Sequence, residues 1–96
     1  MSDTPPAATA RTFLFVPGNR PERHGKALAS MADQVVLDLE DAVEPADKAK
    51  ARDAVAATLE AASFDERQRI VVRLNDPSTD WYADDLAMLR ARGRRP

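Results

Sequence analysis

Three acids, Asp38, Glu40 and Asp41, close the apolar run Val35-Val36-Leu37-Asp38-Leu39-Glu40-Asp41. A run of Val and Leu is built for burial, and a carboxylate buried with it is costly unless something pairs with it. Acids in that position call for a metal cation, a cationic side chain or proton transfer. Two other apolar runs also end in polar groups: Ile70–Leu74 carries Arg73 and is followed by Asn75, and Thr12–Val16 leads into Pro17-Gly18-Asn19-Arg20-Pro21-Glu22-Arg23. An arginine within a strand must have its charge matched, and its planar fork suits bidentate recognition of a carboxylate. An internal ion pair with Glu40 or Asp38 is the structural alternative, and the two roles are compatible. The acids have an alternative too, capping the next helix or pairing with a neighbouring arginine, although three are more than capping needs.

The first of these loops suits an anion. Gly18 permits a tight turn, and a helix capped by Asn19 would offer free backbone N–H groups to a phosphate or carboxylate. Arg20, Arg23 and Lys26 add positive charge there. The Gly-rich stretch and Gly-Lys-Ser/Thr ending of a P-loop are absent. The plainer alternative is a capped helix with solvated cations. His24, the only histidine, reads as exposed or helix-packing rather than catalytic.

The elements that must position these groups follow at roughly thirty-residue intervals, the size of a βα repeat. Strands are predicted over Thr12–Val16, Gln34–Leu39 and Ile70–Leu74. Helices are predicted from Asn19 to Ser30, with Glu22 completing a capping box, from Pro45 to Ala62, and from Trp81 to Arg92. On the second helix Ala49, Val55, Ala56, Leu59 and Ala62 fall near one face, with Lys48, Lys50, Arg52, Asp53 and Glu60 on the other. On the third, Leu86 and Leu89 point inward. Period two places Asp38 with Glu40, and Arg73 with Asn75, on shared strand faces. Strands alternating with helices predict an α/β fold with a parallel sheet. A doubly wound sheet and a (β/α)8 barrel both satisfy the pattern, and both gather functional groups at the C-terminal ends of the strands.

Composition narrows the function classes. A net charge of −2 over 96 residues gives no general attraction to nucleic acid or membranes. The Arg90–Arg95 cluster lacks the interleaved aromatics of a nucleic-acid site. With no cysteine there is no disulfide framework and no thiolate nucleophile. No apolar stretch is long enough to span a bilayer, and Met1–Ala10 lacks the features of a signal peptide. The expectation is a disordered leader over 1–10, a domain over 11–96, and a cytoplasmic location.

Taken together, the strand ends resemble the citrate lyase beta-subunit-like proteins of the HpcH/HpaI aldolase family. The resemblance is carried by Phe13-Leu14-Phe15-Val16-Pro17-Gly18-Asn19-Arg20-Pro21-Glu22-Arg23, Val36-Leu37-Asp38-Leu39-Glu40-Asp41-Ala42-Val43 and Val71-Val72-Arg73-Leu74-Asn75. It continues more weakly through Lys48, Ala51, Arg52 and Asp84-Asp85-Leu86. It implies a (β/α)8 TIM barrel, of which this chain holds the N-terminal three βα units. It also implies a magnesium-dependent carbon–carbon lyase acting on small-molecule 2-oxo-acid or acyl-CoA substrates, with coenzyme A thioester as the substrate carrier. By the same resemblance Arg73, with Asn75, binds substrate, while Glu40 and Asp41 are the catalytic acids and lie beside the magnesium through its water shell. Asn19, Arg20, Arg23 and Lys26 then lie near the coenzyme A side of the cavity.

Family members are roughly three times this length, as a complete barrel requires. Their direct metal ligands, a Glu and an Asp on later strands, would fall beyond Pro96. The chain is therefore expected to contain no direct magnesium ligand and to be inactive as a fragment, and the full-length protein is expected to be a homo-oligomer. A class II 2-oxo-acid aldolase is the enzymatic alternative, disfavoured because its mouth histidine has no counterpart. The remaining alternative is a non-catalytic α/β segment that binds an anion.

Overall fold

Val, Ile and Phe dominate the three apolar runs, and such side chains fit a pleated surface well. They form β1 (Phe13–Pro17), β2 (Gln34–Asp38) and β3 (Ile70–Arg73) in a computed structural model that describes residues 11–92. The leader expected over 1–10 lies outside the described residues. The sheet is parallel throughout, in the order β1-β2-β3. Its register sets the strand ends level, with Pro17 opposite Asp38 and Asp38 opposite Arg73.

Parallel neighbours require crossovers, and right-handed crossovers between strands in sequential order bring the helices to one face. Helices α1 (Pro21–Leu28), α2 (Lys48–Ala61) and α4 (Tyr82–Ala91) supply that cover. Val35, Leu37, Leu39 and Ile70 pack there against Ala51, Val55, Leu59, Met88 and Leu89. The opposite face is open at its flanks, where Phe13, Phe15 and Val71 are 54%, 59% and 39% exposed, while Val36 on the central strand between them is buried.

Several expectations are corrected. A short helix, α3 (Phe64–Arg69), was not anticipated. Ser63 Oγ accepts from Glu66 N at 3.1 Å and Ser63 N donates to Glu66 Oε1 at 2.9 Å, a complete capping box. At the far end of α3, Arg69 donates to the carbonyls of Leu28, Ser30 and Ala32 and so ties β3 to the α1–β2 connection. The helix predicted from Pro45 begins instead as a 3-10 turn, Pro45–Asp47, and continues as α2 from Lys48.

The inward stripe of α2 is Lys48, Ala51, Val55, Ala56 and Leu59, so Lys48 is buried and Ala49 exposed, the reverse of the prediction. Arg52 also turns partly inward. These charges are tolerated because carbonyls and a carboxylate lie beneath them to compensate the lost water. On α4 the inward residues are Asp85, Met88 and Leu89, with Leu86 half-buried.

Candidate functional site

The site assembles where the three strands end. At the exit of β1, Gly18 N donates to Asp38 O at 2.7 Å, which extends the pairing with β2 by one residue. A Cβ on Gly18 would lie 2.9 Å from Asp38 O and 2.9 Å from Leu39 Cδ2. Close approach to the neighbouring strand therefore explains the glycine, since its φ is outside the left-handed region that a tight turn would have used.

Asn19 is not the helix cap. Arg20 occupies that position and makes no side-chain cap bond. The cause is Pro21, which takes the first helical position and disfavours helical geometry in the residue before it. Asn19 instead directs Nδ2 toward Asp47 Oδ2 at 3.4 Å. The first turn of α1 thus keeps N–H groups that no side chain caps, beside the exposed Arg20, Arg23 and Lys26.

Asp38, the last residue of β2, is 3% exposed and accepts four hydrogen bonds. Its Oδ1 accepts from Glu40 N at 2.8 Å and Arg73 Nε at 2.9 Å. Its Oδ2 accepts from Ala42 N at 3.1 Å and Arg73 Nη2 at 2.7 Å. Burial disfavours the ionised carboxylate, yet the guanidinium and the two amides outweigh it and hold the Asp38 carboxyl below its ordinary range. The same contact, first among several, raises the pKa of Arg73, which stays a cation at any working pH.

The internal ion pair foreseen for Arg73 therefore forms chiefly with Asp38. Because β2 ends at Asp38, Glu40 and Asp41 lie in the loop beyond it and not on a shared strand face. Both still approach the guanidinium: Glu40 Oε1 lies 3.7 Å from Nη1 and Asp41 Oδ2 lies 3.5 Å from Nη2. The Arg73 side chain is 39% exposed, and its Cζ sits 6.0 Å from the centre of the Phe15 ring on the open face of the sheet.

Asn75 does not join this cluster, because β3 ends at Arg73 and period two does not carry past it. Asn75 is buried, and its N and Nδ2 donate to Asp85 Oδ2 at 3.1 and 2.6 Å. Asp85 Oδ1 accepts from Arg52 Nε at 2.9 Å. Lys48 Nζ donates to Leu39 O at 2.9 Å and Glu40 O at 2.6 Å and lies 5.1 Å from the centre of the Trp81 ring. Lys48, Arg52 and Asp85 were not among the predicted site residues.

His24 takes the helix-packing role rather than a catalytic one. It is buried, with Nε2 3.2 Å from Pro17 O and Nδ1 2.7 Å from Thr58 Oγ1. A carbonyl can only accept, so Nε2 carries the proton and Nδ1 accepts from the hydroxyl. Burial lowers its pKa, and the ring is neutral at pH 7.

Among the described residues no three or more His, Cys, Asp or Glu side chains are grouped to hold a metal ion. The strand-end acids converge on a guanidinium instead, so they do not fit a direct magnesium site. No helix among the described residues is long and apolar enough to cross a membrane.

The described residues thus form a parallel α/β sheet with a braced arginine at its C-terminal edge. Residues 11–94 match the HpcH/HpaI aldolase/citrate lyase model, and the chain belongs to that family. It is 43% identical over 77 residues to the (3S)-malyl-CoA thioesterase of Cereibacter sphaeroides, covering 80% of this chain and 27% of the relative. It is 40% identical over 96 residues to an L-malyl-CoA/beta-methylmalyl-CoA lyase of Cereibacter sphaeroides, covering 99% of this chain and 30% of the lyase. Among solved structures it resembles the protein CitE of Mycobacterium tuberculosis in complex with magnesium, acetoacetate and coenzyme A. That match has a TM-score of 0.72 at 43% identity and covers 86% of this chain and 29% of that one. The chain thus spans about 30% of the length of the curated lyase it matches.

Proposed function

We propose that this chain forms the first three βα units of a (β/α)8 barrel and contributes the arginine corner of a magnesium-dependent carbon–carbon lyase site. One observation carries this reading. Arg73 spends its Nε and Nη2 on a buried carboxylate and keeps the Nη1 end on the open face, 3.7 Å from Glu40. A guanidinium braced along one edge is pre-organised to take a substrate carboxylate or carbonyl oxygen on the other.

The barrel reading is supported by the sequential parallel order and, among the described residues, by helices packed on one face of the sheet. A doubly wound sheet would have helices on both. The apolar open face bearing Phe13 and Phe15 is then the part that faces the barrel interior.

A fixed cation beside the reacting carbonyl stabilises the negative charge that develops on oxygen when the carbon–carbon bond breaks. Arg73 supplies that charge. Glu40 and Asp41, both loosely paired with it, are placed to hold a water shell or a proton at the mouth. Magnesium, when bound, would polarise the same carbonyl, but the described residues do not form its direct site and its ligands have to come from elsewhere in the barrel. The uncapped first turn of α1, with Arg20, Arg23 and Lys26, offers backbone N–H groups and cations to the phosphates of a coenzyme A thioester. The class II aldolase alternative would need a histidine at the mouth, and His24 is sealed between α1 and α2.

Titration of the 15N-labelled chain with acetoacetate and, separately, with coenzyme A tests the assignment. Acetoacetate is expected to shift the Arg73 Nε–Hε signal and the Glu40 and Asp41 amides, and Arg73→Met is expected to abolish the amide shifts. Coenzyme A is expected to shift the Glu22–Lys26 amides. If acetoacetate leaves Arg73 unmoved while inorganic phosphate reproduces the coenzyme A shifts, the chain is an anion-binding segment and the lyase reading fails.

A further inference from the structure

The peptide unit between Leu39 and Glu40 joins two buried charges. Its carbonyl accepts from Lys48 Nζ at 2.9 Å, and its N–H donates to Asp38 Oδ1 at 2.8 Å. The next carbonyl, that of Glu40, accepts from Lys48 Nζ at 2.6 Å and from Val43 N at 3.2 Å. Lys48 and Asp38 are only 6% and 3% exposed, so neither end of this relay is loosened by solvent. The residue that precedes α4, Trp81, flanks the lysine. Trp81 covers the ammonium, and one turn along each helix Arg52 meets Asp85, the carboxylate that also binds Asn75.

We propose that Lys48 is a positioning residue for Arg73, acting through the Leu39–Glu40 peptide and the Asp38 carboxylate. An ammonium has three donors and can satisfy two carbonyls at once. A charged donor on the carbonyl end also polarises the peptide, which strengthens the N–H bond at its other end. That N–H and the Ala42 amide, in the same clamped loop, set the orientation of Asp38, and Asp38 sets the plane of the guanidinium. A residue that merely filled space beneath Trp81 would need neither the charge nor the donors. The proposal rests on Arg73 as the substrate-holding cation. Its readout involves no turnover, so its failure would leave the lyase reading standing.

The test compares Lys48→Met, which keeps the length and loses the donors, with Lys48→Arg, which restores a charged donor, in the full 96-residue chain. In the Met variant, exchange of the Arg73 Nε–H with water is expected to quicken by about tenfold or more as the loop opens. The Glu40 and Ala42 amides are expected to shift with it, while the capping-box amides of Ser63 and Glu66 stay in place. Lys48→Arg is expected to recover most of the protection. A folded Met variant with unchanged Arg73 and Glu40 signals overturns the proposal, as does the absence of any recovery with Arg. The wild-type chain gives an independent measurement should the Met variant not fold. A clamped Lys48 ammonium shows its own slowly exchanging 15Nζ signal, whereas a signal averaged with solvent would refute the clamp.

Discussion

Arg73→Met removes the guanidinium while keeping an unbranched apolar stem against Phe15. Two charge-assisted hydrogen bonds to Asp38 are lost, at 2.9 and 2.7 Å. Bonds to charged groups contribute about 1.5–3 kcal/mol each when well buried. Here the arginine is 39% exposed and Asp38 only 4%, so water recovers part of the loss on one side and little on the other. The two amide donors from Glu40 and Ala42 remain and limit the damage. We therefore expect a net loss of about 2–3 kcal/mol at pH 7, discounted for the solvent on the arginine. For a chain of this size that corresponds to roughly 10–20 °C in Tm.

The pH dependence gives a sharper check. The Asp38 carboxyl has its folded pKa depressed below the ordinary 3.8. Its stabilising contribution is therefore present above that value and is lost as pH falls through the folded pKa. The gap between wild type and Arg73→Met must accordingly be widest near neutrality and close in acid. Urea unfolding at pH 7 and again near pH 2.5, followed by circular dichroism, measures both. A variant within about 0.5 kcal/mol of wild type at pH 7, the scatter of an ordinary surface substitution, would refute the bracing role. So would a gap that does not change with pH.

Asp85→Ala leaves the half-buried Arg52 and the Asn75 amides without their shared acceptor, and calorimetry should show a loss of about 3–5 kcal/mol, the cost of breaking a buried pair from one side. Gly18→Ala forces a methyl to 2.9 Å from Asp38 O, and chemical denaturation should report a loss of about 1–3 kcal/mol through overpacking. His24 has its folded pKa below the ordinary 6.5 because burial disfavours the charged ring. Wild-type stability should therefore be complete above that value and decline as pH falls below it, a slope that His24→Gln should flatten in the same denaturation series.

The sheet was legible because β-branched runs ending in polar groups have few other solutions. Val35–Leu37 and Ile70–Val72 are too short and too uniformly apolar for surface helices, and their spacing demands crossovers. The pairing of Arg73 with a strand-two acid was legible for the same reason, since an arginine in a strand must be matched. Lys48, Arg52 and Asp85 were not legible. Helical periodicity assigns charge to the solvent face, and only the tertiary fold reveals that carbonyls and a carboxylate 33 residues away receive these groups. Asn19 misses the cap although its residue type favours it, because Pro21 at the first helical position keeps the preceding Arg20 out of helical geometry and makes it the cap. For α3 the signal was present, Ser63 followed three residues later by Glu66, but six residues of mostly polar sequence carry no periodicity to support it.

The three acids that close Val35–Asp41 prove to be unlike one another. A carboxylate has about four acceptor sites, and Asp38 fills four with two amides and two guanidinium N–H groups. It has nothing left for a substrate, a proton or a metal's water shell, so its work is to fix Arg73. Glu40 and Asp41 make only long contacts of 3.7 and 3.5 Å to that cation, and their side chains are 33% and 78% exposed. Of the three, only Glu40 and Asp41 therefore keep acceptor capacity beside Arg73, and the loop that carries them is the one held by Lys48. Replacing Asp38 should then move the arginine, while replacing Glu40 or Asp41 should leave it in place and change only what can bind beside it. The Arg73 Nε–Hε signal, compared across Asp38→Asn, Glu40→Gln and Asp41→Asn, separates the two roles. A displacement in the last two equal to that in the first would show that the three acids act as one.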